Sequence, residues 1–87
     1  MVKPSERRTA TTLAFGLRLR TMRESAGMTQ ERLSQRTGLS VTYVASVERG
    51  ERNVGLSNLL RLADALNVTT SVLVKDLPPP DPLAPTA

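Results

Sequence analysis

The chain contains no cysteine and no histidine. That excludes disulfide staples, thiolate chemistry and the usual zinc ligand sets together. Aromatic residues are almost as scarce, with Phe15 and Tyr43 alone. Readers of RNA and binders of single strands use aromatic side chains as stacking platforms, and two isolated rings cannot build one. No apolar run approaches the length of a membrane span, and the first residues lack the apolar stretch of a signal peptide. There is no Gly-rich phosphate loop and no spaced carboxylate pair with an obvious cleft, so nothing points to an enzyme. The sequence implies no cofactor, no metal and no small-molecule ligand. A soluble, cytoplasmic protein is the expectation these absences leave.

What is present is positive charge. The net charge is +4 and the pI about 10.7, which makes a polyanion a plausible partner. The charge is uneven. Eleven of the twelve bases lie within residues 1–61, against five acids, whereas residues 62–87 hold Lys75 against Asp64, Asp76 and Asp81. With stacking platforms missing, double-stranded DNA is the polyanion that fits.

The length of 87 residues suits one small domain. Residues 1–10 read as a flexible basic arm carrying Lys3, Arg7 and Arg8. Residues 11–76 read as an all-α domain. Residues 77–87 hold five of the six prolines and read as an extended tail, since proline cannot continue a helix. Phe15, Leu19 and Met22 form one apolar stripe on a first helix, which Gly27 ends. Thr29 is an N-cap for a second helix that buries Leu33 and breaks at Gly38. Ser40 caps a third, running from Val41 to about Arg49, with Val44 and Val47 inward and Gly50 as its stop. Leu56, Leu59, Leu60, Leu62, Ala63 and Leu66 mark a fourth, amphipathic helix closed by Asn67. Thr69 or Thr70 caps a short fifth. Val72-Leu73-Val74 is the one β-prone stretch, open to an edge or exchanged strand.

Two short capped helices joined by a Gly turn form the supersecondary unit that presents a helix to the major groove. With Val44 and Val47 inward, helical spacing sends Val41, Thr42, Ala45, Ser46 and Arg49 outward. Thr42 and Ser46 can hydrogen-bond to base edges, and Val41 can contact a thymine methyl. None makes a bidentate base contact, so DNA shape carries more of the specificity. Helix N-termini attract phosphate, which nominates Gln30 and Ser40, and Arg49, Arg52 and Asn53 follow the third helix. Glu48 is an acid in a basic segment. It reads as a structural partner for an arginine, with Arg23 on the first helix the natural candidate.

These residues resemble the phage Cro and repressor type of helix-turn-helix, also called the Xre family. The likeness rests on Phe15-Gly16, Leu19-Arg20, Arg23, Gly27-Met28-Thr29-Gln30-Glu31, Leu33, Gly38-Leu39-Ser40, Tyr43-Val44, Val47-Glu48-Arg49-Gly50, Arg52-Asn53 and Leu59, Leu62-Ala63, Leu66. It spans about residues 13–75. The resemblance implies a five-helix, lambda-repressor-like domain acting as a homodimer on a palindromic operator. It implies base reading by Val41, Thr42 and Ser46, a phosphate clamp at Gln30, backbone contacts from Ser40, Tyr43, Arg49, Arg52 and Asn53, and an ion pair between Arg23 and Glu48. The stretch from Thr42 to Asn53 is also similar to the controller proteins of restriction–modification systems. Those often carry arginine where this chain has Val41, so its operator should differ. A sequence-specific transcriptional regulator is the expected function. The alternative is an antitoxin-like interaction module that autoregulates through the same domain and grips a partner with its tail.

Overall fold

The computed structural model describes residues 8–82. Five helices follow in order: α1 (Ala10–Ser25), α2 (Gln30–Thr37), α3 (Val41–Glu48), α4 (Leu56–Ala65) and α5 (Thr70–Val74). This is the all-helical, five-helix arrangement that the resemblance implies. Lys3 and Arg7, expected in the arm, lie outside the described residues, as does the tail from residue 83. The arm was read to residue 10, but α1 begins there. Thr9 is its cap, accepting from the Thr12 amide at 3.1 Å, while the Thr12 hydroxyl accepts from the Thr9 amide at 2.9 Å. This reciprocal pairing satisfies backbone donors that the first turn leaves free. The tail's first residues are non-helical, and the Thr11 hydroxyl donates to the Pro78 carbonyl at 2.6 Å.

Every helix contributes to one core. Phe15 and Leu19 of α1 meet Leu33 of α2, Val44 and Val47 of α3, Leu62 and Ala63 of α4, and Leu73 of α5. Leu39 packs on its edge, partly buried. Each buried leucine contributes roughly 1.5–3 kcal/mol relative to exposure. α1 runs so close to the end of α3 that a Cβ on Gly16 would stand 2.5 Å from the Glu48 carbonyl oxygen and 2.6 Å from that of Val47. Glycine there permits backbone contact that any other residue would prevent.

Of the apolar residues that mark α4, Leu56 and Leu60 are 73% and 51% exposed. Leu62, Ala63 and Leu66 fill the core, whereas Leu60 lies beyond Ala63 on the helix arc and Leu56 opens the first turn of the helix. The short fifth helix expected after Thr69 or Thr70 is there, and the β-prone Val72-Leu73-Val74 lies within it rather than in a strand. Tertiary hydrogen bonds override its propensity. Arg18 of α1 donates from one nitrogen to the carbonyls of Val72 at 3.4 Å, Leu73 at 3.3 Å and Lys75. These include carbonyls that the end of a helix leaves without partners.

Candidate nucleic-acid interface

The geometry of α2 and α3 is fixed from their ends. The Thr29 hydroxyl caps α2 by accepting from the Arg32 amide at 3.0 Å, and Ser40 caps α3 by accepting from the Tyr43 amide at 3.1 Å. Between them Gly38 takes φ +76°, a left-handed conformation natural to glycine. The Ser34 hydroxyl donates across the turn to the Leu39 carbonyl at 2.5 Å, and the Thr37 hydroxyl donates to the Leu33 carbonyl at 2.8 Å. With Val44 and Val47 wholly buried, α3 cannot roll, and its opposite face turns to solvent. Val41 is 39% exposed, Thr42 is exposed, and Ala45 is half-buried.

Beneath that face lies an ion pair. Arg23 Nε donates to Glu48 Oε2 at 2.6 Å and its Nη2 to Oε1 at 3.0 Å, a two-pronged fork. The side chains are only 10% and 4% exposed. Arg23 Nη1 donates to the Met28 carbonyl at 2.8 Å, so α1 also holds the segment leading into α2. Gln30 joins the cluster, its Nε2 donating to Glu48 Oε1 at 3.0 Å. The hydrogen bonds that Arg23 donates to Glu48 raise its pKa further above its already high value, against the opposing effect of burial. Among the described residues, no buried side-chain nitrogen or oxygen lacks a partner.

Ser46 requires a correction. It was expected to point outward, but it is 4% exposed. Its helical phase does place it away from Val44 and Val47. The chain after α3 folds back over it: the Glu51 amide donates to the Ser46 carbonyl at 3.0 Å, and Arg52 Nε donates to the Ser46 hydroxyl at 3.2 Å. That hydroxyl donates in turn to the Tyr43 carbonyl at 2.7 Å. Arg52 also lies 5.8 Å from the centre of the Tyr43 ring, within cation–π range.

Other candidates are likewise engaged. Asn58 Nδ2 donates to the Tyr43 hydroxyl at 3.1 Å, and Arg61 donates to Asn58 Oδ1 at 2.8 Å, which ties α3 to α4. Arg49 turns back onto Glu51, with Nε to Oε2 at 3.2 Å and Nη2 to Oε1 at 3.1 Å. Arg8 reaches Glu51 Oε2 at 2.6 Å. Arg49's hydrogen bonds, and after them Arg8's, hold the Glu51 carboxyl below its usual pKa. Asn53 is exposed beside Arg52. Sequence reasoning missed Asn58 and Glu51. Only their partners' chemistry pointed to them, since an amide and a carboxylate on a polar surface carry no periodic signature.

Residues 19–73 match the family HTH_3, described as Helix-turn-helix. A curated relative, the control protein C.SmaI of Serratia marcescens, is 46% identical over 56 residues, covering 64% of this chain and 67% of its own length. A hypothetical transcription factor of Neisseria meningitidis serogroup B is 40% identical over 80 residues, covering 92% of this chain and 72% of its own. Among solved structures, the restriction–modification controller protein C.AhdI of Aeromonas hydrophila superposes with a TM-score of 0.70 at 47% identity, over 71% of this chain and 94% of that one.

Proposed function

The chain belongs to the helix-turn-helix family HTH_3 of DNA-binding transcription regulators, alongside restriction–modification controller proteins, and from that premise we propose that it works as a homodimer on a palindromic operator. The observation that carries this reading is the exposed first turn of α3, where Val41 and Thr42 stand clear on a helix locked from behind by Val44, Val47 and its Ser40 cap. Val41 meets a thymine methyl and Thr42 a base edge in the major groove. Gln30, Ser40, Tyr43, Arg49, Arg52 and Asn53 flank that turn and hold the DNA backbone, which sets register and affinity. Ser46 contributes at one remove, as the seat of Arg52.

A dimer sets two α3 helices about one helical turn apart, roughly 34–36 Å, in successive major grooves. Leu56 and Leu60 of α4, with Val72 and Val74 of α5, form the apolar surface offered to a second copy, all four at least 38% exposed. Leu77 beside them packs against the core and is not part of that surface. Selection from a random duplex pool is expected to return an inverted repeat; a single asymmetric site would overturn the palindrome. Light scattering is expected to give twice the chain mass, and a monomer at high micromolar concentration would overturn the dimer.

A further inference from the structure

The Arg49–Glu51–Arg8 cluster stands at the solvent edge just past the end of α3. Its carboxylate accepts three hydrogen bonds, two from the Arg49 fork and one from Arg8. Glu51 is 14% exposed at its side chain, Arg49 53% and Arg8 36%, so the anion sits inside while both cations reach toward water. A guanidinium grips a carboxylate and a phosphate with the same pair of N–H groups. While Arg49 is forked on Glu51, that pair is occupied.

We propose that Glu51 is a positioning residue that sets the strength of the DNA-backbone contact, its carboxylate filling in the free protein the place a DNA phosphate takes beside Arg49. This rests on reading Arg49 as a backbone contact. Arg49 is half in water, so its end of the pair is open to exchange for a phosphate, and the opening of the pair is subtracted from the observed affinity. Arg8, held on the same oxygen, brings the start of α1 to the edge where that exchange happens. The cluster thereby limits attraction to any duplex, whatever its sequence, because phosphate contacts are blind to sequence.

The test is fluorescence anisotropy with a labelled random-sequence duplex across a salt series, using the full chain. The variants are Glu51→Gln, Arg49→Gln, the double variant, and Glu24→Gln as an equal change of charge on α1. Glu51→Gln is expected to bind roughly two- to fivefold tighter. The slope of log K against log salt should stay the same in Glu51→Gln, because the same phosphate contact forms once the pair opens, and should flatten by about one in Arg49→Gln. Glu24→Gln should tighten binding less, and the gain should disappear in the Arg49→Gln background. Equal gains from Glu51→Gln and Glu24→Gln would overturn the proposal, as would a gain that survives loss of Arg49. If Arg49→Gln weakens binding but Glu51→Gln leaves it unchanged, the backbone reading stands and this inference falls. If Arg49→Gln binds like the unaltered protein, the backbone reading itself falls.

Discussion

Two arginine–glutamate pairs flank the end of α3, three residues apart in their acids, and they serve opposite ends. Glu48 is 4% exposed and receives Arg23 from another helix. Glu51 receives an arginine two residues away, and that arginine is 53% exposed. The chemistry is the same fork on a carboxylate in both. Burial decides the difference. Inside, each charge is desolvated, so the loss of either partner strands the other. In the outer pair Glu51 is largely covered, at 14% exposure, but Arg49 stands in water, which can replace the carboxylate on it, so the pair is free to exchange. The inner pair fixes where α3 sits, while the outer one governs what its flank offers to an anion.

The most severe test of this contrast is Glu48→Ala. It is expected to destabilise the domain by about 3 kcal/mol, at the low end for stranding one partner of a buried pair. For a domain of this size, thermal denaturation should show a drop of more than about 10 °C. A melt unchanged within error would place the inner pair in the same class as the outer. Gly16→Ala attacks the inner pair indirectly, since close approach of α1 is what lets Arg23 reach Glu48. A cost of roughly 1–3 kcal/mol is expected from overpacking against the Glu48 carbonyl. Full stability on denaturant titration would show that the helices have room to part.

Salt sharpens the comparison at smaller amplitude. Raising it to about 1 M, where screening acts over roughly 3 Å, should shrink the small melting shift of Glu51→Ala and leave that of Glu48→Ala nearly intact. Equal shrinkage would contradict the difference in burial. The smallest effect concerns acid. The Glu51 carboxyl has a lowered pKa in the folded state, so the unfolded chain takes up its proton first as pH falls. Its contribution is therefore complete above the ordinary value of 4.5 and is lost as pH falls through the lowered one. Melts of the unaltered protein and Glu51→Gln should differ slightly at neutral pH and converge in acid. Divergence toward low pH would reverse the assigned sign.

The helix ends were legible because they are chemical: Thr29, Ser40, Gly27, Gly38 and Gly50 each signal through a hydroxyl or a left-handed turn. Glu48 was legible because an acid at the end of a half-apolar helix, beside Arg49 and Arg52, needs a structural cation. What stayed hidden depends on tertiary placement. Helical phase puts Ser46 on the outer arc, and only the loop that folds back after Gly50 covers it. Leu56 and Leu60 satisfy an amphipathic pattern, but the pattern cannot say how far around the helix, or how near its first turn, the core reaches. The fifth helix was legible from its threonine cap despite the strand propensity of Val72-Leu73-Val74, but the carbonyl bonds from Arg18 that support it were not, since Arg18 lies 55 positions from Leu73.

That last contact bears on how the protein is made. α5 has five residues, too few to stand as a helix unaided. Arg18 leaves the ribosome early, and its carbonyl partners follow only after four helices have been translated. Until Lys75 has emerged, α1 lacks the partner that α5 supplies and the core lacks Leu73. A nascent chain halted before α5 therefore leaves the place of Leu73 in the core unfilled and Arg18 without those carbonyl partners.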